Sequence, residues 1–490
     1  MTAHPLPVSS PAAQGVDARG VQAFLDAIEA APGVEPHGLM ILRHGRVVAS
    51  GWWAPFTADR PHRLYSISKS FTGSAVGFAI EEGLLDLDAR VISYFPEFDA
   101  DITDPGSRAM KVRHIASMAS GHLSETVVQA HAIDAEEPVR GFLLIPPDRE
   151  PGSVFAYNQP TTYTLGAIIQ RATGQTLTEY LRPRLLDPLG IGETLWERDR
   201  AGRELGYSGL HAATDAVTRL GQLYLDKGVW EGEQLLPASW VEQATRAHVD
   251  NSDGSPEARN SDWAQGYGFQ FWMSRHGYRG DGAVGQFCVV LPEQDVVIAI
   301  TANTDLMQSV MDMIWEHLLP AFGPEPVSAA GQDAAESAED AALRERLSRL
   351  VLPTVEGEAA PADTEAWSGV RFAPRDGEAE AQPSLTAVEL SADGDGWILT
   401  LDQAKDEDEP PFALRFAGTG WAVAERPAVP VPTAVSAGWT DADTFVAELG
   451  FLETPHHLTL TCSLAARDFT ASWQGKPLRP TPLSSFGVPR

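Results

Sequence analysis

The chain has 490 residues, long enough for two or three domains, and its 43% hydrophobic and 21% charged residues are ordinary for a globular protein. Its 67 acidic and 36 basic side chains give a net charge of −31 at pH 7. A field of that sign repels nucleic acid and anionic membranes, so we expect neither as a partner.

Three features of the sequence favour a cytoplasmic protein. The opening residues, "MTAHPLPVSSPAAQGVDARG", contain neither a basic region nor an apolar one, so they do not predict a secretion signal. No run approaches the roughly 18 apolar residues that a membrane span requires. Cys288 and Cys462 lie far apart in sequence and suit packed thiols in a reducing compartment better than a disulfide framework.

The first part of the chain contains both helix and strand patterns. Residues 15–31 carry apolar side chains at helical spacing, with Asp17 placed to support the first turn. The run "GLMILRHGRVVASGWW" predicts a hairpin that turns at His44 and Gly45. "YGFQFW", "AVGQFCVVLP" and "DVVIAITAN" predict successive strands with a turn at residues 292–295, and "MQSVMDMIWEHLLPAF" returns to helix. Helices around an antiparallel sheet predict an α+β architecture.

Composition changes at Gly323. Residues 325–345 are rich in alanine, serine and acids, which predicts a linker over residues 323–360, partly helical toward Leu350. Beyond it, runs such as "TAVELSADGDGWILTLDQA" and "HHLTLTCSLAARDFTASW" alternate with the period of a strand. They predict an all-β domain over residues 361–490, either a small barrel or a sandwich. The first domain then covers residues 1–322.

One short motif points to nucleophilic chemistry. The stretch "YSISKSFTGSAVGFAIEEGLLDLDARV" places Lys69 three residues after Ser66. On a helix these positions share one face, so the lysine amine can approach the serine hydroxyl. A serine hydroxyl is a poor nucleophile until a base removes its proton, and a lysine whose pKa is lowered by burial can be that base. The spacing also arises by chance, so the motif alone is weak.

The surroundings of Ser66 closely resemble the nucleophile helix of the serine β-lactamase and penicillin-binding protein superfamily, whose mark is Ser-x-x-Lys. The detailed similarity is to the class C β-lactamase-like branch, which also includes esterases, D-amino-acid peptidases and oligoamide hydrolases. It covers about residues 10–322, including "ILRHGRVVASGWW" and "PGSVFAYNQPTTYTLGAIIQ". The resemblance implies an antiparallel sheet flanked by helices, with a mostly helical subdomain. No His, Cys or Glu cluster has metal-ligand spacing, so we expect neither metal nor cofactor.

That branch carries a Tyr-x-Asn motif before a helix, and "FAYNQ" places Tyr157 at the tyrosine position. The resemblance makes Tyr157 a proton shuttle between nucleophile and leaving group, with a phenol pKa depressed by the Lys69 ammonium. Gln159 stands where the asparagine would be and can offer a similar amide to substrate. Asn158, between them, is expected to be a turn residue.

The third motif of the branch, Lys-Thr-Gly or His-x-Gly, aligns with Gly280, Asp281 and Gly282. The resemblance makes this strand part of the substrate site, and glycines there let substrate lie against the strand edge. It also makes the backbone N–H groups of Ser66 and Ala283 the oxyanion hole.

Asp281 departs from the family pattern. It stands in place of a cation that helps to hold the substrate carboxylate in members acting on β-lactams or peptides ending in D-Ala. A part-solvated aspartate would repel that carboxylate, unless Arg279 or His276 compensates from the same strand. We therefore expect weak β-lactamase activity.

Three functions fit these residues. The first is a serine hydrolase that cleaves a small ester, a peptide-like amide or a β-lactam through an acyl-enzyme on Ser66. The second is an acyl transferase or peptide cyclase, because some relatives with an appended lipocalin-like β-barrel pass the acyl group to an amine. The third is a penicillin-receptor-like binding module that is acylated without turnover. The partner in each case is a small molecule or a peptide-like substrate.

Overall fold

The computed structural model of the protein describes residues 5–323, 337–375, 382–403, 412–479 and 481–489. The first part of the chain contains one large sheet and several short strand pairs. Its strands are β1 (Glu35–Arg43), β2 (Arg46–Trp52), β3 (His62–Arg63), β4 (Leu195–Trp196), β5 (Leu210–Ala212), β6 (Val229–Trp230), β7 (Glu233–Gln234), β8 (Trp272–Met273), β9 (Tyr278–Gly282), β10 (Gln286–Leu291) and β11 (Val296–Asn303).

The large sheet has the order β2-β1-β11-β10-β9-β8, and every neighbouring pair in it is antiparallel. Strands β1, β10 and β11 are buried at every position, which explains their nearly continuous apolar runs. The predicted hairpin between β1 and β2 is confirmed. His44 and Gly45 have φ angles of 52° and 70°, the left-handed values that a tight two-residue hairpin turn requires.

Helices cover both faces of this sheet, which confirms the α+β prediction. On one face α1 (Ala18–Ala30) packs against β1 and α11 (Met307–Met313), and on the other α9 (Thr214–Leu225) packs against β1, β10 and β11. None of the described helices combines the length and apolarity needed to cross a membrane. The helices are α1 (Ala18–Ala30), α2 (Ser68–Glu81), α3 (Pro105–Ala109), α4 (Val112–Ala116), α5 (Val127–Ile133), α6 (Pro138–Leu143), α7 (Gln159–Thr173), α8 (Leu177–Leu181), α9 (Thr214–Leu225), α10 (Ala238–Ala244) and α11 (Met307–Met313).

One of the predicted strands is wrong. In "YGFQFW" only Trp272 belongs to a strand, because the chain turns at Gln270, whose φ is 64°. The Gln270 side-chain amide donates to the Ala116 carbonyl at 2.9 Å and fixes that turn. The place beside β10 belongs instead to β9, which only the family resemblance predicted.

The C-terminal part is all-β, as predicted. After helices α12 (Ala338–Leu347) and α13 (Thr364–Trp367), nine strands form one sheet whose end strands come into contact, so that it nearly closes as a barrel. Aromatic side chains, including Trp367, Trp397 and Trp439, fill its interior. The strands are β12 (Val370–Pro374), β13 (Leu385–Asp393), β14 (Gly396–Gln403), β15 (Phe412–Phe416), β16 (Ala422–Ala424), β17 (Thr433–Trp439), β18 (Thr444–Phe451), β19 (His457–Ser463) and β20 (Asp468–Trp473).

Part of the predicted linker packs against the first part of the chain, whereas residues 356–360 are exposed. Leu343 and Leu347 of α12 are buried, and α12 contacts both α1 and β2. Further on, the Leu352 N–H donates to the Ala54 carbonyl at 2.8 Å. Residues 324–336 lie outside the described ranges. The division at residues 322 and 360 stays a prediction.

The two cysteines lie in different sheets. Cys288 is on β10 and Cys462 is on β19, and both are buried free thiols. The prediction of two packed thiols is therefore confirmed.

A buried ion cluster joins the two sheets. His457, on β19, has Nδ1 2.5 Å from Glu35 Oε2 on β1 and Nε2 2.6 Å from Glu448 Oε2 on β18. Burial opposes charge on both partners, but their mutual attraction outweighs it. The carboxylates raise the pKa of His457 to about 10, and His457 with His37 lowers the pKa of Glu35 to about 2. The contact between the two parts of the chain thus contains a charged imidazolium.

We expect His457→Gln to lower the free energy of unfolding by about 3 kcal/mol near pH 6, because it leaves a buried carboxylate without its counter-ion. The raised pKa of His457 stabilises the fold fully below the unfolded value of 6.5, and this contribution is lost as the pH rises through about 10. The lowered pKa of Glu35 stabilises it above 4.5, with loss as the pH falls through about 2. The difference between wild type and variant should therefore be largest at pH 4.5–6.5.

Urea unfolding at several pH values measures this difference. His276→Gln, at an exposed histidine, is the matched control and should change little. A His457→Gln penalty that is as large at pH 10.5 as at pH 6 would contradict the charged cluster.

Candidate active site

Ser66 stands in a tight turn just ahead of α2. Residues Tyr65–Ile67 form one 3-10 turn, and the regular helix begins at Ser68. Tyr65 has a φ of 47°, a left-handed value that is uncommon for a residue other than glycine. Ser66 is partly exposed, whereas the next residues of α2 are buried. The turn thus presents one hydroxyl at the edge of a packed helix.

Lys69 is 1% exposed and lies beneath Ser66. Its Nζ donates to Ser66 Oγ and to the Tyr207 carbonyl, each at 2.8 Å. Burial lowers the pKa of the amine to about 7, although the charges of Glu125 and Asp281 act to raise it. At neutral pH a large fraction of this amine is therefore unprotonated and can accept a proton.

The ring of Tyr157 completes a group of three. Its centroid is 4.7 Å from Lys69 Nζ, and the ring stacks on Trp272 with centroids 5.0 Å apart. The predicted depression of its pKa is wrong. Burial and the negative charge of Asp281 raise the pKa of Tyr157, and they outweigh its hydrogen bond with Ser66. The phenol is therefore a protonated group at neutral pH.

Gln159 and Asn158 have different surroundings. Gln159 begins α7, and its side-chain Oε1 is buried without a hydrogen-bond partner among the described residues. The Asn158 side-chain oxygen accepts from both the N–H and the hydroxyl of Thr126 at 2.9 Å. The Asn158 side chain therefore links its own segment to the loop at Thr126, which is consistent with a structural role. Gln159 retains a side-chain acceptor that a substrate could use.

Gly280 and Gly282 face the segment that carries Ser66. A Cβ on Gly282 would lie 2.1 Å from the Leu64 carbonyl oxygen, and one on Gly280 would lie 2.7 Å from Ser70 Oγ. Gly282 must be glycine for β9 to lie this close to the chain ahead of α2, because a Cβ there would meet backbone. At Gly280 the obstacle is the Ser70 hydroxyl, which would have to move. This close approach brings Ala283, next in the chain, beside the Ser66 turn. The expectation that substrate lies against this strand edge stays a prediction.

Asp281 belongs to a buried ion pair. Arg279 Nε and Nη2 both lie 3.0 Å from Asp281 Oδ2, and the two residues are 0% and 7% exposed. Burial raises the pKa of Asp281, and Arg279 opposes that shift. The expectation of a part-solvated carboxylate is therefore wrong, because Asp281 is buried. Its pairing with Arg279 is the compensation that the sequence analysis allowed for. His276 is exposed and meets Trp315 edge to face, with ring centroids 4.9 Å apart.

Sequence reasoning missed two residues beside Lys69. The Glu125 carboxylate accepts N–H bonds from Thr126 and Val127 at 3.0 Å and from Gln159 at 3.1 Å. The carbonyl of Tyr207 accepts the second Lys69 hydrogen bond. Glu125 lies 56 positions and Tyr207 138 positions from Lys69 along the chain, so no local spacing could have indicated either.

A serine, a buried lysine and a tyrosine beside an antiparallel sheet with helices on both faces define a protein of the serine β-lactamase type. The sequence model of the family described as Beta-lactamase matches residues 21–320, more than half of the chain. The chain belongs to that family. Its relatives are serine hydrolases of amide and ester substrates and include penicillin-binding proteins.

Two relatives and one solved structure each match more than half of the chain. The 6-aminohexanoate-dimer hydrolase of Paenarthrobacter ureafaciens is 27% identical over 278 residues, 53% of this chain and 70% of that protein. Penicillin-binding protein 4 of Amycolatopsis lactamdurans is 25% identical over 309 residues, 56% of this chain and 80% of that protein. A penicillin-binding protein homologue from Caulobacter crescentus has a TM-score of 0.50 at 18% identity, covering 65% of this chain and 100% of that one, which shows a shared fold.

We expect Glu125→Gln to move the acid limb of the kcat/KM profile to lower pH. Removing this carboxylate removes a charge that favours the Lys69 ammonium, so the pKa of Lys69 falls and the free amine persists into more acidic solution. Rates well above pH 7 should stay near wild type. Glu150→Gln, at an exposed glutamate that makes no contact with Lys69, is the control for loss of one negative charge. A limb that stays in place, or moves to higher pH, would contradict the assignment of Lys69 as the titrating base.

We expect Asp281→Asn to lower the free energy of unfolding by about 3 kcal/mol, because it removes the carboxylate that pairs directly with the buried Arg279 guanidinium. Chemical denaturation at neutral pH measures the loss. Asp305→Asn, at an exposed aspartate after β11, should leave the midpoint unchanged. An unaltered Asp281→Asn midpoint would show that the ion pair adds nothing to stability.

Proposed function

We propose that the protein hydrolyses an ester or an amide through an acyl-enzyme formed on Ser66. The observation that carries the proposal is the 2.8 Å contact between Lys69 Nζ and Ser66 Oγ, made by an amine whose pKa is lowered to about 7. A neutral amine at that distance can accept the hydroxyl proton as the oxygen attacks a carbonyl. Membership of the β-lactamase family supports the same chemistry.

Acylation begins with Lys69 as the base. The amine removes the Ser66 proton, Oγ bonds to the substrate carbonyl carbon, and the carbonyl oxygen becomes an anion. The backbone N–H groups of Ser66 and Ala283 are the proposed donors to that anion. The contact between Gly282 and Leu64 supports this choice, because it brings the two segments together. Donors of this kind typically contribute several kcal/mol to transition-state stabilisation.

Tyr157 handles the second proton. Its raised pKa keeps the phenol protonated, so the group can donate to a departing alkoxide or amine and then recover a proton from the Lys69 ammonium. This order differs from a mechanism that starts with a phenolate. In the last step water attacks the acyl carbon and the Lys69 amine accepts its proton. The ammonium then returns that proton to Ser66 Oγ as the bond between Oγ and the acyl carbon breaks, and the acid leaves.

Small neutral or amine-bearing acyl compounds suit the charges around Ser66. Glu125 is exposed, and the Asp281 charge is offset by Arg279, so the site carries more negative than positive charge whenever Lys69 is neutral. Anionic β-lactams are therefore the poorer candidates.

We expect Ser66→Ala to abolish covalent labelling by a fluorophosphonate probe while leaving the thermal midpoint close to wild type, because the half-exposed hydroxyl contributes little to packing. Lys69→Ala should slow labelling by at least about 10²-fold, because the base is lost. Mass spectrometry of the labelled peptide locates the adduct. Ser124→Ala, at an exposed serine, is the matched control. An adduct on another residue would overturn the nucleophile assignment.

Turnover then separates the three functions. A panel of short acyl esters, amides and nitrocefin is incubated with enzyme, with and without an added primary amine. Release of free acid indicates a hydrolase, and transfer of the acyl group to the amine indicates a transferase or cyclase. A stoichiometric adduct that persists indicates a receptor-like module and would contradict the hydrolase proposal.

A further inference from the structure

The turn that carries Ser66 is held from two directions. Within the first part of the chain, the Leu64 N–H donates to the Leu210 carbonyl at 2.8 Å, and Ser68 Oγ donates to the Tyr65 carbonyl at 2.5 Å. These bonds fix the backbone on either side of Tyr65. Neither bond involves the phenol of Tyr65. This residue has the unfavourable left-handed φ, so a further contact to its side chain would help to stabilise the turn.

The C-terminal barrel contacts the Tyr65 phenol directly. His456, immediately before β19, has Nε2 2.5 Å from the Tyr65 hydroxyl, and the two rings meet edge to face. Close by, the Arg63 N–H donates to the Glu453 carbonyl at 2.9 Å. His456 and Glu453, both in the loop between β18 and β19, thus contact Tyr65 and Arg63, which lie one and three positions before Ser66.

The His456 imidazole is suited to accept a hydrogen bond. Burial, together with the positive charge of Arg63, lowers its pKa to about 3, so the ring is neutral at neutral pH. The second ring nitrogen, Nδ1, is buried and has no hydrogen-bond partner among the described residues. A neutral imidazole has one nitrogen that can accept, so Nε2 can accept a hydrogen bond from the Tyr65 hydroxyl.

The same region of the barrel also touches the proposed oxyanion turn. A Cβ on Gly475 would lie 2.3 Å from Asn303 Oδ1 and 3.4 Å from Val284 Cγ1. Val284 follows Ala283 and has a φ of 57°, so this turn also adopts an uncommon conformation. The barrel therefore contacts both segments that carry the proposed oxyanion donors, and both contain a left-handed residue.

We propose that the C-terminal barrel is part of the catalytic unit and that His456 is a positioning residue, which holds Tyr65 and thereby sets the Ser66 turn against Ala283. The inference rests on the proposed acyl-enzyme chemistry and adds a residue 390 positions beyond Ser66 that does not touch substrate. A structural contact between two domains would stabilise the fold alone. A positioning contact also determines how fast Ser66 reacts.

The test is a double-mutant cycle on Tyr65→Phe and His456→Leu in the full chain, read by fluorophosphonate labelling under saturating probe. Each single variant should label about 10- to 100-fold more slowly, because a displaced oxyanion donor typically loses about 10²-fold or more. Probe affinity should change less than twofold. Since both variants break the same hydrogen bond, the double variant should be no slower than the slower single one. His456→Gln, which can still meet the hydroxyl, should recover most of the rate.

Thermal midpoints are measured in parallel, with Tyr94→Phe as the control for losing one phenol hydrogen bond at the surface. Tyr65→Phe keeps its ring, so it should remain folded even if His456→Leu does not. Wild-type labelling rates in folded Tyr65→Phe would overturn the positioning role and leave the hydrolase proposal intact, as would losses that multiply in the double variant. Absence of Ser66 labelling in the wild type would overturn the hydrolase proposal itself.

Discussion

Burial of the Lys69 amine away from water disfavours its charged form and lowers its pKa, and the charges of neighbouring groups determine the size of that shift. Two nearby carboxylates, Glu125 and Asp281, favour the ammonium, while burial favours the free amine, and the balance lies near neutrality. A fully solvated lysine would stay charged, and a lysine buried without carboxylates nearby would be neutral but harder to reprotonate. Burial prevails, but only far enough to bring the pKa of Lys69 to about 7, so the same amine can accept a proton and give it back near neutral pH.

That balance requires close packing around α2. The helix is buried along most of its length, and β9 lies close to the chain ahead of it because Gly282 carries no side chain that would meet the Leu64 carbonyl. The same approach brings Ala283 beside the Ser66 turn and Asp281 within electrostatic range of Lys69. Glycine in β9 thus affects the pKa of the base as well as the geometry of the proposed oxyanion donors. The Arg279 guanidinium prevents Asp281 from dominating the local field.

Sequence reasoning succeeded where contacts are local. The Ser66–Lys69 spacing, the His44–Gly45 turn and the alternation of the barrel strands depend on neighbours within a few residues, so the letters predict them. It failed for the pKa of Tyr157, because burial and the charge of Asp281 depend on how distant segments meet. The Arg279–Asp281 pair had a local signal, since positions two apart share one face of a strand. Glu125 and His456 had none.

The sheet topology determines which parts of the fold can form first while the chain is being synthesised. Strand β1 pairs along its length with β11, with Glu35 opposite Asn303, so the large sheet cannot close until residue 303 has left the ribosome. His456 follows 153 residues later (456 − 303), which at 5–20 residues per second takes roughly 8 to 30 seconds. During that interval a nascent chain can have a complete α2 helix while the Tyr65 hydroxyl has no imidazole to meet. Translation therefore separates the formation of the Ser66 turn from the arrival of the residue that contacts it from the barrel.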